Sequence, residues 1–205
     1  MARNISASHY FLYKASLNMD VRSLRVIEVN ETMQKQFEAF CHEFKVDDPA
    51  EIHGIGSMAE GRPVENGTTR LYDFFEGIDR SRDHAIGKNL PEGWVPATTY
   101  WLIDNAENVH ATANLRHQLN DFLELEGGHV GYAVKPSSRG QGCATQFLHV
   151  IKLLAHDKGI SRLLVTCDKD NIASRRTIEN SGGVKENEIV SGLTGKTKQR
   201  FWIDL

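Results

Sequence analysis

Cysteine is scarce: 205 residues carry three, Cys41, Cys143 and Cys167. An odd and widely spaced set excludes a disulfide framework of the kind that staples small secreted domains, and it fits reduced thiols in a cytoplasmic setting. Each reads as a small buried hydrophobe. Neither a Cys-x-x-Cys nor a His-x-x-x-His pair occurs, although there are nine histidines, so no metal site of the usual ligand spacing is implied. Long apolar runs are also missing, and nothing approaches the roughly 20 residues needed to span a bilayer. The first twenty residues, around His9-Tyr10-Phe11-Leu12-Tyr13, have neither a long apolar core nor a small-residue cleavage site. Positive charge is not in excess. A formal net charge of -3 and the absence of any lysine or arginine run give no overall attraction to nucleic acid or to an acidic membrane. Internal repeats and low-complexity tracts are absent.

What is present is a hydrophobic fraction of 40% with 8% aromatics, enough to bury the core of one domain. Residues 1–22 read as an N-terminal extension and 23–205 as the domain. Leu24-Arg25-Val26-Ile27-Glu28-Val29 alternates as a first strand, and Met33, Phe37, Phe40 and Phe44 share one face of a helix over 31–44. Residues 47–67, with Pro49, Gly54, Gly56, Gly61, Pro63 and Gly67, predict a long loop at the surface or over a site. Leu71, Phe74, Phe75 and Ile78 then recur at helical spacing up to Ala85. A hairpin follows at 98–103 and 109–115, turning at Asp104-Asn105, then a short helix or ordered loop at 117–126 and a strand at 129–135. Ala144, Phe147, Leu148, Ile151, Leu154 and Ala155 mark a helix packed on a sheet. The continuous run Leu163-Leu164-Val165-Thr166-Cys167 predicts a strand covered on both faces and parallel to its neighbour across that helix. Asn171 caps a helix that ends at Gly182-Gly183, and a closing hairpin spans 184–190 and 199–205.

The six residues Arg139-Gly140-Gln141-Gly142-Cys143-Ala144 join the 129–135 strand to the long helix. Gly140 and Gly142 let the backbone turn tightly, and the opening amides of the helix point outward at its positive end, which suits a pyrophosphate. Two nucleotide-binding patterns fail here: no Gly-Lys-Ser/Thr follows at Walker spacing, and Thr145 stands where a dinucleotide fingerprint needs its third glycine. From the loop alone, a turn whose glycines merely relieve strain is the competing reading.

In context the loop resembles that of the Gcn5-related N-acetyltransferase (GNAT) superfamily, Arg or Gln, two residues, Gly, one residue, Gly or Ala, matched by Arg139, Gly142 and Ala144. Gly131-Tyr132-Ala133-Val134-Lys135-Pro136 looks like the splayed strand before that loop, and 171–183 looks like the family's second signature. Leu90-Pro91-Glu92-Gly93-Trp94-Val95-Pro96, Arg116-His117 and Asn120 further resemble a bacterial subgroup of predicted acetyltransferases. The resemblance implies an α/β (α+β) fold: a mixed, mostly antiparallel sheet with one splayed parallel strand pair and helices on both faces. It also implies acetyl-CoA as acyl donor, held by Arg139, Gly140, Gln141, Gly142, Cys143 and Ala144 at the pyrophosphate. Backbone groups of Tyr132 and Val134 would pair with the pantetheine arm, and Asn171 would bond it unless it is a plain helix cap.

Such an enzyme passes the acyl group directly to an amine, so it needs a proton acceptor, a polarising amide and a donor for the leaving thiolate. His129, at the start of the splayed strand, is the first candidate base, with Glu126, Glu124 and His117 as alternates; a partly buried histidine bonded to backbone is the competing reading of His129. The family tyrosine that would protonate the thiolate falls at Ile178, which leaves Tyr132, another tyrosine or water. Tyr72, Phe74, Phe75, Trp94, Tyr100 and Trp101 read mainly as core, with Trp94 the best exception, and Asp73, Glu76 and Asp79 as a solvated helix face. The expected function is N-acetyl transfer from acetyl-CoA to a primary amine of a small molecule or peptide. The alternatives are a non-catalytic acyl-CoA-binding module and an acetyltransferase of protein N-termini or ribosomal proteins. Monomer or homodimer is left open.

Overall fold

A computed structural model describes residues 24–45, 51–59 and 73–205. The expected extension at 1–22, and Tyr72 of the aromatic set, lie outside them. Among the described residues, seven strands form two sheets. The first runs in the order β1-β2-β3-β4, from β1 (Arg25–Glu28), β2 (Ala97–Ile103), β3 (Val109–Arg116) and β4 (Val130–Val134), and the second in the order β5-β7-β6, from β5 (Arg162–Asp168), β6 (Val184–Val190) and β7 (Thr197–Asp204). Every ladder within them is antiparallel.

Alternation along β2 explains why helices are needed on both sides. Trp101 and Ile103 point to one face, where Met33 in the turn before α1 joins Phe37 and Phe40 of α1 (Gln34–His42), Ile52, Ile55 and Met58 of the 51–59 segment, and Phe74 and Ile78 of α2 (Phe74–Ala85). Tyr100 and Leu102 point to the other, where α3 (Cys143–Asp157) supplies Phe147, Leu148, Ile151 and Ala155. With both faces covered, β2 is buried along its whole length. Of the aromatic set, Phe74, Tyr100 and Trp101 are core, whereas Phe75 and Trp94 are exposed.

α3 also packs on the second sheet, since Leu163, Val165, Phe201 and Ile203 belong to the same core. Thus one helix spans both sheets. The segment predicted as a short helix or loop at 117–126 becomes a π-helical turn at Leu123–Gly127, and α4 (Ile172–Asn180) starts at its Asn171 cap, whose Oδ1 accepts from Ser174 N–H at 3.0 Å.

The expected parallel pair is the junction between the two sheets. Among the described residues β4 and β5 share no ladder. They meet at their starts, where His129 N–H donates to Leu164 C=O at 2.7 Å and Leu164 N–H donates to His129 Nδ1 at 2.9 Å. Beyond that point the strands part into a wedge. Gly128 permits the approach: at φ +64 it takes a conformation that disfavours a side chain, and a Cβ there would stand 2.6 Å from Leu164 C=O.

Candidate active site

The hydrogen-bond phase of β4 decides which backbone groups face the wedge. Arg116 N–H donates to His129 C=O at 2.8 Å and Lys135 N–H to His110 C=O at 3.0 Å, so 129, 131, 133 and 135 are the positions turned toward β3. The N–H and C=O groups of Val130, Tyr132 and Val134 therefore point to the opposite edge. At that edge Arg139 Nε donates to Val134 C=O at 3.1 Å, and its guanidinium lies 5.7 Å from the centre of the Phe44 ring. Arg139, although exposed, is thus tethered at the mouth of the wedge.

Above the mouth, Gly140 and Gly142 adopt φ +72 and +78 with nothing within 4 Å of where a Cβ would stand. Gly142 is the N-cap of α3 and no side chain caps it. The first bond of the helix runs from Gln146 N–H to Gly142 C=O at 3.0 Å, which leaves the amides of Ala144 and Thr145 directed out of the helix's positive end. Gln141 folds back, its Nε2 donating to Ser137 C=O at 2.8 Å. The Cys143 side chain is buried in the core. Asn171 is a helix cap through Oδ1, and its backbone N–H donates to Asp168 C=O at 2.9 Å.

At His129 the geometry favours the competing reading, a buried histidine bonded to backbone. Its Nδ1 lone pair receives Leu164 N–H, which fixes the proton of the neutral ring on Nε2, and the residue is buried. Burial, reinforced by the Arg116 charge, pushes its pKa down to about 4. A ring whose lone pair is taken by a backbone amide is a poor proton acceptor; His129 joins the sheets. His117 Nε2 lies 2.9 Å from Thr98 Oγ1, and burial, then the Lys158 charge, lower its pKa to about 4.

Glu126 is anionic and bound. Its Oε2 accepts from Ser191 Oγ–H at 2.5 Å and its Oε1 from Gly192 N–H at 2.8 Å; these bonds, aided by Lys198, hold its pKa below the ordinary carboxyl value. Its backbone C=O accepts from Thr166 Oγ1–H at 2.7 Å, and the neighbouring Glu124 C=O accepts from Arg200. The π-helical turn is therefore clamped to β5, β7 and the β6–β7 turn, while the Glu124 side chain is exposed.

Counting three residues from the His129–Leu164 contact along each strand brings Tyr132 and Cys167 level across the wedge. Tyr132 Oη lies 3.0 Å from Ser174 Oγ on α4. Burial raises the Tyr132 pKa, partly offset by hydrogen bonds from Ser174 and Thr177, so the phenol keeps its proton at neutral pH. The pairing of Tyr132 with α4 was not legible in the sequence, because 42 residues separate it from Ser174.

A strand edge turned outward, an uncapped helix start and a glycine loop between them thus lie together at one end of the wedge. Residues 64–184 match the model of the acetyltransferase (GNAT) domain family, and the chain belongs to that family. An uncharacterized N-acetyltransferase of Bacillus subtilis strain 168, YjdG, is 30% identical over 122 residues, which cover 57% of this chain and 67% of that protein. Among solved structures, the ribosomal-protein-S5-alanine acetyltransferase of Vibrio fischeri superposes with a TM-score of 0.62 at 15% identity, over 92% of this chain and 97% of its own. The microcin C7 self-immunity acetyltransferase MccE, solved with acetyl-CoA and AMP, gives a TM-score of 0.61 at 12% identity, over 89% and 92%. The protein is an acetyl-CoA-dependent acyltransferase.

Proposed function

We propose that the enzyme moves the acetyl group of acetyl-CoA directly to a primary amine of a small molecule or peptide, in the cytoplasm. The observation that carries this reading is the outward edge of β4 leading into the uncapped start of α3. Amides of Gly140, Gln141, Gly142, Cys143 and Ala144 take the pyrophosphate, helped by the helix dipole and by Arg139. The wedge-facing groups of Tyr132 and Val134 pair with the pantetheine arm as an added strand would, although Arg139 competes for the Val134 carbonyl. Asn171 offers its exposed side-chain NH2 to the same arm.

The acyl carbon then lies near the closed end of the wedge. Tyr132, protonated and steadied by Ser174, hands its proton to the departing thiolate and so replaces the family tyrosine missing at Ile178. Glu126 acts as a fixed negative charge that draws the ammonium form of the acceptor, whose proton leaves through water to solvent. His129 keeps the strands joined at the vertex.

Release of free coenzyme, followed across a panel of amines and N-terminal peptides, tests the assignment. Acetylated product should appear with at least one acceptor class. Calorimetric binding of coenzyme A with no turnover on any amine would instead support a non-catalytic acyl-CoA-binding module.

A further inference from the structure

One polar cluster, buried at His110 and Ser138, lies outside this chemistry. The Asp104 carboxylate, in the β2–β3 turn, accepts from Ala106 N–H and Asn108 N–H, each at 2.9 Å, from Asn108 Nδ2, and from His110 Nε2–H at 3.1 Å. On the other side of the ring, His110 Nδ1 lies 2.7 Å from Ser138 Oγ. Ser138 directly precedes Arg139, the first residue of the phosphate loop.

The direction of the chain follows from Asp104. Although burial pushes its carboxyl up, hydrogen bonds from Asn108 and His110 outweigh that and leave it well below the ordinary value. In the neutral ring, an ionised carboxylate places the His110 proton on Nε2, and Nδ1 then accepts from the Ser138 hydroxyl. The order Asp, His, Ser invites a comparison with hydrolases, but Ser138 is 1% exposed and no substrate reaches it. The cluster is a relay of positions.

We propose that Asp104, His110 and Ser138 are positioning residues for the donor's diphosphate, locking the root of the phosphate loop onto the β2–β3 hairpin. The same root is tied at two more points. Lys135 N–H donates to His110 C=O at 3.0 Å, and Ser137 N–H donates at 3.1 Å to Glu43 Oε2, reaching from the end of α1. With residues 135, 137 and 138 held from outside, the amides that follow are presented at fixed places, and binding requires little ordering of the loop. The inference rests on the reading that 139–144 takes the diphosphate.

Two ligands separate a positioning role from a general structural one: coenzyme A, which carries the diphosphate, and pantetheine, which does not. In Ser138→Ala the affinity for coenzyme A, measured by calorimetry, should fall by about five- to tenfold, the worth of one buried hydrogen bond. Pantetheine affinity, measured by NMR titration, should stay within about twofold of wild type, since its contacts lie on β4. Equal loss for both ligands, or loss for neither, overturns the proposal. A second readout needs no variant: the 15N resonances of His110 in the wild-type protein should show Nδ1 unprotonated, and a protonated Nδ1 at neutral pH overturns the relay. Wild-type protein that binds no coenzyme A at all would remove the diphosphate reading itself, a failure distinct from either result.

Discussion

His129 is the residue where pattern and packing part company. Its place at the start of the splayed strand suggested a base, yet the Leu164 amide occupies the lone pair a base would use. No sequence pattern reports that contact, because the two residues are 35 apart and meet only when both sheets have formed. The consequence is measurable as acid sensitivity. His129 and His117 remain neutral in the folded protein down to pH about 4, whereas an unfolded histidine takes its proton near 6.5. Protons therefore favour the unfolded chain, and the urea midpoint should fall between pH 6.5 and 4. His129→Gln should remove its share of that slope; an unchanged slope would show that its ring is not held neutral by the fold. For Tyr132, Tyr132→Phe should lower kcat by about tenfold or more with coenzyme A affinity nearly unchanged. Equal kcat in both proteins would return the proton donor's role to water.

At the scale of elements, most strands and helices were legible because their periodicities are undisturbed: Phe147, Leu148, Ile151, Leu154 and Ala155 mark α3, and Asn171 and Gly182 bound α4 closely. The glycine loop was equally plain, since positive φ at Gly140 and Gly142 leaves a mark in the sequence. The splay between β4 and β5 was not read from periodicity at all. It came from family resemblance, and its physical cause is a glycine followed by a histidine that bonds both ways. Gly128→Ala tests that cause. An alanine at φ +64 is strained, and its methyl would also meet Leu164 C=O. Gly159, at φ +82 with nothing within 4 Å, supplies the comparison. Gly159→Ala should cost about 1 kcal/mol for the backbone alone, and Gly128→Ala roughly 3 kcal/mol with the clash included, read from urea denaturation. Equal losses would mean that β5 yields freely at the vertex.

Across the whole molecule, two sheets share α3 as a common wall and touch directly at few places, which keeps an opening between them without leaving the core unsealed. Further ties cross the same junction: Glu126 to Ser191 and Gly192, Thr166 to Glu126, Arg200 to Glu124. They brace the closed end of the wedge, while its open end faces the glycine loop. Acetyl-CoA is thus expected to enter from the α3 side, with its thioester reaching the vertex. A crystal structure of the protein with coenzyme A tests this most directly. The account predicts the diphosphate on the amides of residues 140–144 and the pantetheine arm antiparallel or parallel to β4 against Tyr132 and Val134. A coenzyme bound away from both the loop and that edge would contradict it.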